Sequence, residues 1–144
     1  MKAFLLDVNV LIALIDRSHI HHNAAHKWFG ELGDQGWATC PLTENAVVRI
    51  IGAPGYPNSP GSVLAVARLL VTMTALPGHT FWPDDISLIR STDIDLTRLL
   101  NPAQITDSYL LALACSHGGK LATFDRRLIA DAVRNGKKSV HLIA

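Results

Sequence analysis

The sequence predicts an α/β layered fold built on a mostly parallel central sheet, and two patterns carry that prediction. Short apolar runs of strand length alternate with longer runs of helical period, the order expected when helices return each strand to its neighbour. Two of the strand-like runs, residues 3–6 and 121–124, are each followed by an aspartate, Asp7 and Asp125. In open α/β sheets this is the edge at which ligands gather.

The elements follow in order from those runs. Strand 3–6 leads into helix 8–15, a second helix covers 22–32 and stops at Gly33, and strand 37–40 meets a turn at Pro41. Helix 43–51 gives way to a Gly- and Pro-rich loop over 52–60, then to a long apolar helix over 61–75. Pro77 and Gly78 form a turn before a short strand at 79–82, and Pro83, Asp84 and Asp85 carry the residue types of a helix's first turn. A short helix is expected at 95–100. Helix 105–116 is strongly apolar and ends at Gly118 and Gly119. Strand 121–124, a last helix, the turn at Asn135–Gly136 and strand 139–143 close the chain.

With 144 residues, the chain falls within the range of one domain and can bury a full core. No repeat or linker divides it, so residues 1–144 are read as a single domain. Hydrophobic residues make up 49% and charged residues 17%, which excludes a disordered tail. A formal net charge of +1 gives no general attraction for nucleic acid, so any such binding must come from local patches. The two cysteines, Cys40 and Cys115, fall in apolar segments and suit a reducing compartment better than a disulfide framework, which points to the cytoplasm. The apolar start is interrupted by Asp7 and Asn9 and lacks a small-residue cleavage site. The apolar run 63–76 contains Arg68 and is too short for a bilayer, so no membrane segment is expected.

Four acids stand out against this background. Asp7 and Asp125 follow strands, whereas Glu44 and Asp107 open helices and face inward. Val47, Val48 and Ile51 lie along the stripe below Glu44, and Leu110, Leu111 and Ala114 below Asp107. Either helix acid alone is equally explained by the positive end of its helix dipole. The set is not, because carboxylates ~4 Å apart repel by roughly 4 kcal/mol at an effective dielectric of about 20 unless protonated or bridged by a cation. Magnesium or manganese suits an all-oxygen site; zinc suits it less, since no Cys or His pair has closed tetrahedral spacing. Asn9 and Thr123 are placed either to orient the carboxylates by hydrogen bonds or to cap their local turns.

These residues resemble the PIN-domain family, in particular its toxin ribonucleases of the VapC type, over nearly the whole chain. The resemblance rests on the opening Leu5-Leu6-Asp7-Val8-Asn9-Val10-Leu11, on His26-Lys27-Trp28-Phe29 and Thr43-Glu44-Asn45, and on Phe81-Trp82-Pro83-Asp84-Asp85. Ile105-Thr106-Asp107-Ser108-Tyr109-Leu110 and Leu121-Ala122-Thr123-Phe124-Asp125-Arg126-Arg127 complete it. Each motif is weak by itself; their order and spacing are specific. The resemblance implies a PIN-like three-layer fold and an acidic pocket of Asp7, Glu44, Asp107 and Asp125 holding Mg2+ or Mn2+, supported by Asn9. It implies an endoribonuclease that leaves a 5′-phosphate and a 3′-hydroxyl. It also implies a homodimer and a cognate antitoxin that obstructs the site.

The chemistry expected of that pocket is metal-assisted hydrolysis of an RNA phosphodiester. Asp7 and Asp107 chiefly hold the ion, and Glu44 or Asp125 completes its coordination or takes the proton of the attacking water. Arg126, Arg127 and the Lys137–Lys138 pair are placed to meet RNA phosphates or to serve as solvated surface. Trp28, Trp37 and Trp82 are expected in packing more than in base stacking. His22 and His26 have the spacing of a chelating pair, but with His19 and His21 they read better as surface residues at a helix start. Helix 61–75 is apolar on more than one stripe and is assigned to a dimer contact or an antitoxin groove. A haloacid-dehalogenase-type phosphatase requires a second aspartate where Asn9 stands. A catalytically inert PIN-like module, binding RNA or protein, is the other alternative.

Overall fold

The computed structural model describes residues 3–32 and 35–144. Five strands form one parallel sheet: β1 (Ala3–Leu6), β2 (Gly36–Thr39), β3 (His79–Phe81), β4 (Lys120–Thr123) and β5 (Val140–Leu142). Their order is β3-β2-β1-β4-β5, with Leu5 beside Ala38 on one side and beside Leu121 on the other. The chain therefore builds outward from β1 in one direction through β2 and β3, then crosses back to add β4 and β5. The reversal opens a crevice between the carboxyl ends of β1 and β4.

Three layers follow from the two-residue period of the strands. Leu6, Trp37 and Ala122 face a core formed with α1 (Val8–Ile15), α2 (His22–Gly30), α3 (Pro41–Ile51) and α4 (Val63–Thr74). Leu5, Ala38 and Leu121 face the opposite core, where α5 (Ile105–Ser116) contributes Leu110 to Ala114. Covering both faces explains why the strands read as continuous apolar runs. Trp37 and Trp82 are buried, and Trp28 packs on the first core while its indole N–H donates to Nε2 of His141 at 3.0 Å. The tryptophans thus serve packing, as expected.

Several boundaries move for local reasons. Pro41 is the first residue of α3 and not a turn before it, a position where its missing N–H costs nothing. Helix α2 ends at Gly30, short of the expected 32, and Gly33 lies outside the described residues. The short helix expected at 95–100 is a single 3-10 turn at Leu96–Arg98, capped by Asp95, which accepts from the Thr97 N–H at 3.0 Å.

Two expected helices do not form. After Pro83 the chain is irregular: Ile86 and Leu88 lean on the second core while Asp84 and Asp85 remain exposed, so no helical stripe is available to bury. The helix expected after β4 loses to a long-range pairing. The Arg134 N–H donates to Asp93 O at 2.8 Å and the Asp95 N–H to Ala132 O at 2.7 Å around the Ile94–Val133 bridge. Those donors and acceptors are then unavailable for helical bonds.

Candidate active site

Asp7 leaves β1 at the crevice and begins α1. Its backbone N–H still pairs with Ala122 O at 3.0 Å, so it is held level with the end of β4. One carboxylate oxygen, Oδ1, accepts from the Val8 N–H at 2.8 Å; the other, Oδ2, accepts from the Thr123 hydroxyl at 2.7 Å. Thr123 is fully buried and its Oγ1 also accepts from the Asp125 N–H at 3.0 Å. Of the two roles open to Thr123, it performs both: it orients Asp7 and ties down the turn that carries Asp125.

Asp7 is 6% exposed, and burial pushes its pKa above the ordinary carboxylate value. The Thr123 and Val8 bonds counter that rise, and the negative charge of Asp125 adds to it. Asp107 stands at the third position of α5, and its pKa is raised to about 6 by burial, then by the charges of Asp7 and Asp125. Asp107 therefore feels the negative charges of Asp7 and Asp125, and Asp7 feels that of Asp125.

Glu44 is placed differently. It lies one turn inside α3, after β2, and enters neither of those carboxyl shifts. The sheet order explains this. β2 and β4 flank β1 on opposite sides, so their ends are about 10 Å apart at the usual strand spacing. Glu44 Oε2 instead accepts from the buried Thr39 hydroxyl at 2.6 Å, and Thr39 Oγ1 lies 2.8 Å from Nε2 of His79. Burial lowers the pKa of His79 against the opposing pull of Glu44. Sequence reasoning missed Thr39 and His79 because only the pairing of β2 with β3 brings them together; the alternation of Trp37 and Thr39 in a strand was the one available hint.

Asn9 is exposed on the first turn of α1, and among the described residues no hydrogen bond joins it to an acid. Its expected supporting contact is therefore absent from this arrangement. Arg126 and Arg127 are exposed beside Asp125, and the Arg127 N–H donates to Asp125 Oδ1 at 2.8 Å. Lys137 and Lys138 are exposed on a separate 3-10 turn, Lys137–Ser139.

The histidines have structural partners. Nδ1 of His22 lies 2.7 Å from Ala13 O, and Nε2 of His26 lies 2.9 Å from Leu14 O, so both rings close off carbonyls in the last turn of α1. His21 stacks on Phe124 with ring centroids 4.4 Å apart. Near them is a cavity of about 720 Å³, lined among others by Asp16, His26, Leu69 and Met73. It adjoins the end of α1 opposite Asp7. Asp16 there is buried, and its pKa is lowered. Burial opposes that shift, but hydrogen bonds outweigh it, the Tyr56 hydroxyl donating at 2.5 Å and the Ser18 N–H at 2.9 Å.

The donors at the crevice fit a hard divalent cation. Asp7, Asp107 and Asp125 present only oxygen, and the resistance of Asp7 and Asp107 to ionisation is what a cation relieves. Among the described residues no three Asp, Glu, His or Cys side chains are already drawn into metal-holding geometry. Mg2+ does not require such a cage, since it commonly uses one or two carboxylates and completes its shell with water and substrate phosphate.

A PIN-domain model matches residues 4–133, which run from β1 through β4 and include Asp7, Asp107 and Asp125. Ribonuclease VapC44 of Mycobacterium tuberculosis is 46% identical over 134 residues, 93% of this chain and 94% of the relative. Ribonuclease VapC39 of the same organism is 47% identical over 133 residues, 92% and 94% of the two chains. Ribonuclease VapC38, also from that organism, is 41% identical over 139 residues, 96% of each. The chain belongs to the PIN-domain family of VapC ribonucleases. Its parallel five-stranded sheet between helical layers is the PIN-like architecture that the motifs implied. Among the described residues of this PIN domain, no helix is long and apolar enough to cross a membrane.

Proposed function

We propose that this PIN domain is the toxin of a toxin-antitoxin pair and an Mg2+- or Mn2+-dependent endoribonuclease acting through the β1/β4 crevice. The observation that carries the reading is the Thr123 hydroxyl that joins Asp7 to the Asp125 turn at the topological switch point of the sheet, beside an Asp107 that feels the charges of both. Support for RNA as substrate comes from the ribonuclease names of relatives aligned over more than nine-tenths of the chain.

When bound, the cation supplies Lewis acidity, polarising a nonbridging phosphate oxygen and lowering the pKa of water. Asp7 and Asp107 hold it, with Thr123 fixing the rotamer of Asp7. Asp125 accepts the proton of the attacking water, and Arg126 and Arg127 hold flanking phosphates. Glu44, one strand away, lies on the β2 side of the same edge and completes the acidic lining.

The partners belong to the same reading: a cognate antitoxin, an RNA substrate, a second copy of the chain and no membrane, in the cytoplasm. Both cysteines are free, which agrees with a reducing compartment.

The test is 5′-end sequencing of total bacterial RNA after incubation with Mg2+ and the wild type, Asp7→Asn or Asp107→Asn. The wild type is expected to produce discrete new ends and each variant to lose them while remaining folded. Wild-type cleavage by both variants defeats the assignment.

A further inference from the structure

We infer that His79 and Thr39 are positioning residues for Glu44, joined to it in a relay that runs from His79 Nε2–H through the Thr39 hydroxyl to Glu44 Oε2. The inference rests on the proposed nuclease reading and adds to it two residues outside the acidic set.

With the Thr39 hydrogen given to Glu44, hydrogen bookkeeping sets the direction. A threonine hydroxyl has one hydrogen, and an ionised carboxylate only accepts. The 2.6 Å contact with Glu44 uses the Thr39 hydrogen, so the 2.8 Å contact with His79 must be donated by the imidazole. Nε2 therefore carries a hydrogen whether His79 is neutral or charged. A competing arrangement exists, because the Thr74 backbone also attracts the protonated ring. A neutral imidazole with its hydrogen on Nδ1 would turn the Thr39 hydroxyl towards Nε2 and leave Glu44 without its donor.

The fold makes the relay rigid. His79 and Trp37 are register partners, so His79 projects from the same sheet face as Trp37 and Thr39. The imidazole packs edge-on against Trp37, with ring centroids 4.7 Å apart. Thr39 has no solvent exposure and its χ1 is restricted by branching at Cβ. Glu44, by contrast, has a long side chain at a half-buried position and the Thr39 hydroxyl as its hydrogen-bond donor. Loss of the hydroxyl releases the carboxylate from the position in which the β2–β3 pairing holds it. Supporting hydrogen bonds of this kind are typically worth about 10- to 100-fold in metal affinity or activity.

The first measurement is independent of cleavage. Long-range 1H–15N NMR of the full chain is expected to show the His79 hydrogen on Nε2, and the Nδ1–H tautomer overturns the relay. The second is single-turnover cleavage of total bacterial RNA with Mg2+, read at the strongest wild-type site, for Thr39→Val, Thr39→Ser, His79→Leu, His79→Gln and Glu44→Gln. Thr39→Val and His79→Leu are expected to lower the rate about 10- to 100-fold. Thr39→Ser restores the hydroxyl and His79→Gln restores an N–H at the position of Nε2, so both are expected to recover most of the rate. Far-UV circular dichroism verifies the fold of each variant. A strong loss in Glu44→Gln with full rates in Thr39→Val and His79→Leu overturns the relay alone. A full rate in Glu44→Gln overturns the role of Glu44 and, with it, any catalytic meaning of the relay.

Discussion

The Thr123 hydroxyl donates to Asp7 across 116 positions of sequence, at 2.7 Å and out of contact with solvent. The same oxygen accepts from the Asp125 N–H, so one small side chain connects the two strand-end acids of the crevice. Thr123→Val keeps the shape and removes both bonds. Cleavage is expected to fall about 10- to 100-fold, as for other hydrogen-bond partners of metal ligands. Thr123→Ser should retain most of it. Single-turnover rates of the two variants check this, and equal rates would show that Asp7 needs no orienting bond.

Asp107 makes the cation-free protein sensitive to pH. Its folded pKa, about 6, exceeds the ordinary 3.8, so the folded state binds this proton more tightly than the unfolded chain. The resulting stabilisation is complete below about 3.8 and is lost as pH rises through about 6. Asp7 is raised too and acts in the same direction. Asp107→Asn imitates the protonated acid at every pH. In EDTA, its Tm is therefore expected to gain on the wild type as pH rises from 4 through about 6 and then to level off, as followed by thermal unfolding. Mg2+ at pH 7.5 should narrow the gap by stabilising the wild type. A gap that stays constant with pH removes the proposed charge crowding.

What could be read in advance depended on how far apart in the chain the deciding contacts lie. Asp7 and Asp125 were legible because each follows its own apolar strand, and parallel strands place such positions on one edge. Thr123 was legible as a neighbour of Asp125, though not as the donor to Asp7. The place of Glu44 on the β2 side of β1, away from β4, was not legible because nothing in its own helix reveals the strand order. The missing helix after β4 has the same origin: local composition favoured it, but Ala132 and Arg134 pair with residues around Ile94. Helix α5 needed no such knowledge, and its observed span, Ile105–Ser116, is the expected one.

His22 and His26 serve the last turn of α1, and their spacing is therefore explained without a metal. One ring nitrogen of each is engaged by the carbonyl of Ala13 or Leu14. Joint replacement, His22→Leu with His26→Leu, leaves two helix-end carbonyls without their partners and is expected to cost about 1–3 kcal/mol. Chemical denaturation measures that cost. Elemental analysis should find the same zinc content before and after the replacement, and a drop in bound zinc would restore the chelating reading.

Helix α4 presents an apolar stripe to solvent that its own core does not use. Val66 and Leu70 are buried, whereas Leu64 and Val71, seven residues apart on another stripe, are 58% and 68% exposed. Neither exposed side chain stabilises the monomer much, so Leu64→Glu with Val71→Glu is expected to change its stability by no more than about 0.5 kcal/mol per site. The effect should appear in association instead, since two carboxylates on that stripe would have to be desolvated by whatever covers it. Sedimentation of the free protein and its titration with the cognate antitoxin are expected to show that the pair of changes weakens self-association or antitoxin binding. If the wild type is monomeric and the antitoxin binds both forms equally, the stripe is ordinary surface and the partner assignment for α4 fails.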